Sequence, residues 1–152
     1  MGDKEGAYLQ IGEVAERTGV TQRTLRFYEE KGLLKPPSRL EGGFRLYSEE
    51  DIARVERIKR LQSLLGVSLA EIKEMVDAEE VTLQIEAEYR PEADVGEKRR
   101  QLAKAIEVTE KQYAIVSQKA EQLAEMKTYL EERLKTYRGW KKRPKTRAAV
   151  SR

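Results

Sequence analysis

Five side chains hold most of the recognition chemistry that this chain offers: Gln22, Arg23 and Arg26, within little more than one turn of TQRTLRFYEEKG, and Arg39 and Arg45, on either side of Glu41-Gly42-Gly43. A guanidinium is a planar, permanently charged fork of donors. It meets paired acceptors, such as two phosphate oxygens or the O6 and N7 edge of guanine, with two hydrogen bonds at once, and a carboxamide does the same for adenine. Groups of this kind at this spacing suit recognition of an anionic, acceptor-rich surface rather than the making of bonds. No set of nucleophile, base and orienting residue stands out, so neither an enzyme nor a cofactor is expected. With no Cys and no His, the chain also lacks the thiolate and imidazole ligands of transition-metal sites and the thiols of redox sensing.

Such side chains need a firm element beneath them. Thr21 is placed to cap a helix through its hydroxyl and Gly32 to close it in the left-handed region, which predicts a helix of about three turns over Thr21 to Lys31. Upstream, Ile11, Val14 and Ala15 recur at helical spacing, and Gly19 permits a tight turn before Thr21. The pair is a helix-turn-helix, whose second helix turns its N-terminal residues, Gln22, Arg23 and Arg26, toward the major groove of DNA. Leu25 is then core, while Phe27 and Tyr28 fit core packing or phosphate contact equally. Pro36 and Pro37 cannot continue the helix and lead into extended backbone. Strands at about Ser38 to Leu40 and Phe44 to Tyr47, joined by Glu41-Gly42-Gly43, make a hairpin, and Arg39 and Arg45 then flank the tip of a wing that meets the sugar-phosphate backbone.

The order of helix-turn-helix, RFYEEKGLL, Pro36-Pro37, Arg39 and GGFRLY resembles the mercury-resistance-regulator (MerR) family of bacterial transcription regulators, from Tyr8 to about Asp77. The resemblance implies DNA contacts from Arg23, Arg26 and Tyr28 on the second helix and from Arg39, Arg45 and Tyr47 on the wing. It further implies binding to double-stranded promoter DNA between the elements that RNA polymerase contacts, with bending or untwisting of that DNA. The absence of Cys and His departs from the best-known members of the family and puts mercury, copper, zinc and redox sensing out of reach of this chain.

Two more helices follow. Ser48 with Asp51 forms a capping box, and Ile52, Val55, Ile58, Leu61 and Leu64 repeat up to a stop at Gly66. Ser68 with Glu71 opens the next helix, with Leu69, Ile72 and Val76 inward. This second helix-turn-helix supports the wing; Lys59 and Arg60 could reach phosphates, but a solvated face is the default for such residues on a helix surface. The acidic stretch of Glu79, Glu80, Glu86 and Glu88 prolongs the fourth helix, with Leu83 on its apolar stripe, until Pro91 ends it; 91–96 is the connector.

Beyond Gly96 the apolar period tightens to a strict 4-3 repeat through Leu102, Ile106, Thr109, Tyr113, Val116, Ala120, Leu123, Lys127, Leu130, Leu134 and Tyr137. That is a coiled coil on the order of 60 Å long. One such helix cannot bury its seam alone, so a homodimer is expected, and a dimer of helix-turn-helix heads calls for an operator with two inverted half-sites. A parallel pairing would set Lys127 against its own copy. An antiparallel register pairs Leu102 with Leu134, Ile106 with Leu130, Tyr113 with Leu123 and Val116 with Ala120, and lets the polar Thr109 and Lys127 meet. The resemblance implies the same direction. The fold class is therefore mainly α: a winged helix-turn-helix head at 8–78, a helix extension and connector at 79–95, a long antiparallel dimeric coiled-coil helix at 96–137, and a basic tail at 138–152.

Of the 152 residues 38% are charged, which fits a long exposed helix better than one large core. The tail holds seven basic and no acidic residues, so the net charge of +3 belongs to it, and the head's affinity for DNA must come from where its Arg residues sit. Gly139 is read as ending the long helix. The tail beyond is a disordered solvated terminus, or else a source of non-specific DNA affinity or a docking peptide anchored by Trp140. No apolar run long enough to span a membrane and no signal peptide are evident, which makes the cytoplasm the simple location. Three functions are compatible with these features: a promoter regulator, a chromosome-organising or anchoring protein with coil and basic tail, and an interaction subunit whose head no longer reads DNA. The four head arginines speak against the last.

Overall fold

The computed structural model describes residues 8–35, 38–39 and 45–143. Helix α1 (Ile11–Thr18) and helix α2 (Gln22–Glu30) precede strands β1 (Ser38–Arg39) and β2 (Arg45–Leu46). Helices α3 (Glu49–Leu65), α4 (Leu69–Glu88) and α5 (Val95–Lys141) complete the order. The chain divides into two compact units between Gln112 and Tyr113, inside α5 rather than at the connector.

In the first unit the predicted stops and starts act as their chemistry requires. Thr21 caps α2 by accepting from the Thr24 N–H at 3.0 Å, and both capping boxes form, Ser48 with Asp51 and Ser68 with Glu71. Gly19 and Gly32, at φ 76° and 75°, take the left-handed backbone that ends α1 and α2, where a side chain would be strained. One core gathers Val14, Leu25, Tyr28, Leu33, Leu34, Tyr47, Ile52, Val55, Ile58, Ile72 and Val76. The two strands pair antiparallel, Ser38 with Leu46 and Arg39 with Arg45. Leu40, the 41–43 turn and Phe44 lie outside the described residues. An additional bridge, Leu9 to Tyr47, fastens the start of the head to the end of β2 with hydrogen bonds of 2.8 and 2.7 Å.

Two apolar assignments are corrected. Leu64 is 77% exposed and Leu65 is buried in its place, because the residue two full turns after the buried Ile58 is Leu65. Leu83 is exposed too, whereas Val81 and Ile85 are half-buried. The reason is that the first turns of α5 run back along α4: Gln112 donates to the Met75 carbonyl at 3.0 Å, and Val108 is buried. Asp94 starts that helix by accepting from the Gly96 and Glu97 N–H groups at 3.0 and 3.3 Å. Gly139 does not end α5, which continues to Lys141; 144–152 lie outside the described residues.

The interaction that joins the parts of the head is centred on Arg54. It is only 8% exposed. Its Nε donates to the Leu33 carbonyl in the loop after α2, while its terminal nitrogens reach Glu80 at 2.6 Å and Asp77 at 2.8 Å on α4. Burial pushes the Asp77 carboxyl up, but hydrogen bonds and charge from Lys73 and Arg54 outweigh it and hold the group below the ordinary carboxylate range. A carboxylate depressed in the folded state adds stability that is present above its unfolded pKa and lost as pH falls through the folded value. The head should therefore lose stability in acid, and Asp77→Asn should blunt that loss in unfolding midpoints measured against pH. Arg54→Ala removes the donor from a buried carbonyl and should lower the unfolding free energy by at least about 1–3 kcal/mol in denaturant titrations. Arg17→Ala, which breaks a bridge to Glu49 whose two side chains are 49% and 57% exposed, should change it little.

Candidate nucleic-acid interface

The N-terminal turns of α2 present Gln22, Arg23 and Arg26 to solvent, while Leu25 and Tyr28 on the opposite side are buried. The helix is held at both ends. At its start, Thr21 and Thr24 share a hydroxyl hydrogen bond of 2.8 Å, and the Gln22 amide lies close to Gly12 on α1, where an added Cβ would stand 3.6 Å from Nε2. At its end, Tyr28 donates to Gln62 Oε1 of α3 at 3.0 Å. Phe27, one of the two aromatics left open by the sequence, is 38% exposed, with the Lys31 ammonium 5.6 Å above its ring. The other, Tyr28, packs in the core, and burial raises its hydroxyl pKa.

The wing is tied to the same helix by Glu29. One carboxylate oxygen accepts from Arg45 Nε at 3.0 Å, and the other accepts from the Tyr47 hydroxyl. The Glu29 side chain is only 10% exposed, so this is a sheltered pair rather than a surface one. Burial first, and then the bond to Glu29, raise the Tyr47 pKa and keep the phenol protonated. Arg39 and Arg45 are direct partners in the strand register, and Glu29 supplies the opposite charge beside Arg45.

The structure thus assembles Gln22, Arg23, Arg26 and Arg45 around α2 and β2, with Arg39 opposite Arg45, and it sets Tyr28 and Tyr47 inside. Sequence reasoning passed over Glu29 and Gln62 and missed the partner of Lys59. Lys59, read as solvated, donates to the Thr18 carbonyl at the C-terminal end of α1, where a cation also meets the negative end of the helix dipole. The partners of all three lie far along the chain and left no local pattern. The residues of the predicted seam meet no cover within the single chain: Leu102, Ile106, Tyr113, Val116, Ala120, Leu123, Leu130 and Leu134 are all exposed, Tyr113 at 74%. Among the described residues no group of acidic side chains is placed to hold a metal ion, and no helix is long and apolar enough to cross a membrane.

Residues 9–79 match the model of the family described as MerR HTH family regulatory protein. The HTH-type transcriptional regulator YfmP of Bacillus subtilis strain 168 is 35% identical over 113 residues, covering 74% of this chain and 80% of that protein. Nodulation protein NolA of Bradyrhizobium elkanii is 48% identical over 68 residues, 45% of this chain, which spans only 31% of NolA's length. In fold, the chain is similar to HiNmlR, a MerR family regulator lacking the sensor domain, solved bound to promoter DNA, at 23% identity and a TM-score of 0.54 over 93% of this chain and 98% of that one. From the family match and the likeness to YfmP along most of both chains, this protein belongs to the MerR family of HTH transcriptional regulators.

Proposed function

We propose that the chain is a homodimeric, sequence-specific regulator that reads an inverted-repeat operator in promoter DNA and acts there by distorting the DNA between the elements that RNA polymerase contacts. The observation that carries this reading is the exposed row of Gln22, Arg23 and Arg26 on the first turns of a helix whose far end is locked by Glu29 to the wing. In it, Gln22 and Arg23 meet base edges and Arg26, Arg39 and Arg45 meet phosphates, while Tyr28 and Tyr47 act from within by fixing helix and wing. The promoter DNA held by HiNmlR is consistent with that assignment. Recognition of this kind requires neither an enzymatic step nor a cofactor, and it takes place where bacterial promoters are, in the cytoplasm.

The dimer is supported by the apolar seam residues of α5 that one chain leaves exposed. Antiparallel pairing of two α5 helices covers them and brings Thr109 of one protomer to Lys127 of the other. A chromosome-organising role is not favoured, since likeness to a transcriptional regulator extends over 80% of that relative's length.

Arg23→Ala should cost about 1–3 kcal/mol on the operator and relax its sequence preference, whereas Arg45→Ala should weaken specific and random DNA alike and flatten the salt dependence by up to about one unit. Fluorescence titrations at several salt concentrations check both, and an equal loss for Arg23→Ala on operator and random DNA would remove that residue from the reading set. For the coil, Thr109→Cys combined with Lys127→Cys should crosslink between protomers under mild oxidation, and Lys127→Cys alone should not. Efficient crosslinking of the single variant would overturn the antiparallel register.

A further inference from the structure

The end of α5 carries a charge that the head's reading of DNA does not use. From 133 to 152 the chain holds nine Lys and Arg and no Asp or Glu, Glu132 being the last acid. Because α5 runs past Gly139 to Lys141, with the Lys142 and Arg143 N–H groups still bonded to the Arg138 and Trp140 carbonyls at 3.3 and 3.0 Å, helical geometry sets where the first of these cations point.

Three of them form a stripe. Lys135 follows the seam residue Leu134 by one position, about 100° round the helix, Lys142 follows one heptad later, and Arg138 falls between them. All three are exposed. Arg133 lies one position before Leu134, on the opposite flank, and is already engaged: it donates to the Tyr129 and Tyr137 hydroxyls at 3.0 and 2.5 Å, with its guanidinium 5.5 and 5.4 Å from their ring centroids. Among the described residues the ion pairs of α5 join Glu107 to Lys104 and Lys111, so no carboxylate partners the stripe. Spacings of three and four residues on a helix set like charges near enough to repel. The helix dipole favours cations in the last turn, which suits Arg138 and Lys141, but that effect fades within a turn and does not call for Lys135. A row of repelling cations at fixed spacing on an open face is what a polyanion satisfies.

We infer that the Lys135, Arg138 and Lys142 stripe is a second DNA-contacting surface, which binds the sugar-phosphate backbone without regard to sequence. The stripe rises about 10 Å along the helix, and a DNA strand presents a phosphate roughly every 3.4 Å along its axis, so three contacts fit one run of backbone. DNA held by the head is already at high effective concentration for a second contact in the same molecule. An anionic lipid surface would also attract cations, but it would have to take up the apolar positions beside the stripe, and Leu130 and Leu134 belong to the seam. The stripe needs no operator preference in the head; only the seam's claim on those two Leu residues depends on the homodimer reading.

Titrations of a fluorescent random-sequence duplex with the full chain, at several salt concentrations, test the contact. Lys135→Gln, Arg138→Gln and Lys142→Gln together should flatten the logarithmic salt dependence by about two to three units for each protomer whose stripe is engaged. Lys135→Arg, Arg138→Lys and Lys142→Arg together keep the charge and should keep the slope. Circular dichroism and sedimentation verify helix and assembly, and single changes to Gln, each flattening the slope by about one unit, serve if the triple change disturbs either. An unchanged slope in the Gln variants would overturn the second contact, as would equal flattening in the charge-keeping variant. Vesicles of phosphatidylglycerol supply a further arm, read by Trp140, the chain's only Trp. A blue shift of its emission on vesicles that the Gln variant loses, with no difference between the two chains on the duplex, would assign the stripe to lipid and sink the DNA contact. The expected slopes in a chain that prefers no operator would overturn the operator reading and leave the stripe standing.

Discussion

A buried guanidinium imposes a strict demand, and in this head Arg54 imposes it on everything around. A desolvated cation is tolerated only when its donors are matched, so the Leu33 carbonyl, Asp77 and Glu80 must all be within reach at once. Leu33 belongs to the loop that leaves α2, and the two acids belong to α4, while Arg54 itself sits on α3. One side chain thereby fixes the exit of the recognition helix relative to two supporting helices. The packing of Leu33, Leu34, Val55 and Val76 fills the space, but non-directional apolar contact alone would allow those elements to slide.

On that support the DNA-facing parts behave as one piece. Thr21 and Gly19 set where α2 begins, Tyr28 and Gln62 set its roll against α3, and Glu29 sets where the wing strand lies. The three α2 residues proposed to meet DNA have no such duty. Gln22, Arg23 and Arg26 project from a helix whose other face is occupied, so little conformational freedom of the backbone is left to be lost on binding. Net charge contributes little here: the basic residues of the head are balanced by its acids, so the proposed attraction to DNA rests on which charges face outward.

Local rules carried the reading of the sequence a long way. Caps, glycine stops and apolar periodicity located five helices and the hairpin, because each is dictated by neighbours within a turn or two. Failures occurred where distant packing decides. Leu64 and Leu83 were assigned inward from a repeat that holds in isolation, but the helix phase and the return of α5 along α4 chose Leu65, Val81 and Ile85 instead. Gly139 carries a poor helix propensity, yet its neighbours continue the helix past it. Arg54, Lys59 and Glu29 look like ordinary surface charges in the sequence; their importance depends on partners 16 to 41 positions away. The candidate contacts on α2 were legible because they rest on a capped local helix, whereas the duties of Tyr28 and Tyr47 were not, since one hydroxyl is engaged by a residue 34 positions on and the other by one 18 positions back.

The Glu29 bracket has an evolutionary corollary. Its two oxygens serve two different strand-end residues, so replacing Glu29 strands Arg45 and the Tyr47 hydroxyl together, and replacing either of those leaves a sheltered carboxylate half-satisfied. Energies that are shared in this way do not add, and the first change of a pair is the costly one. Positions 29, 45 and 47 should therefore drift as a set among related sequences, with covariation between them stronger than between any of them and the freely exposed Arg23. Positions 22, 23 and 26 can then diversify one at a time, whereas the bracket between helix and wing changes only in concert.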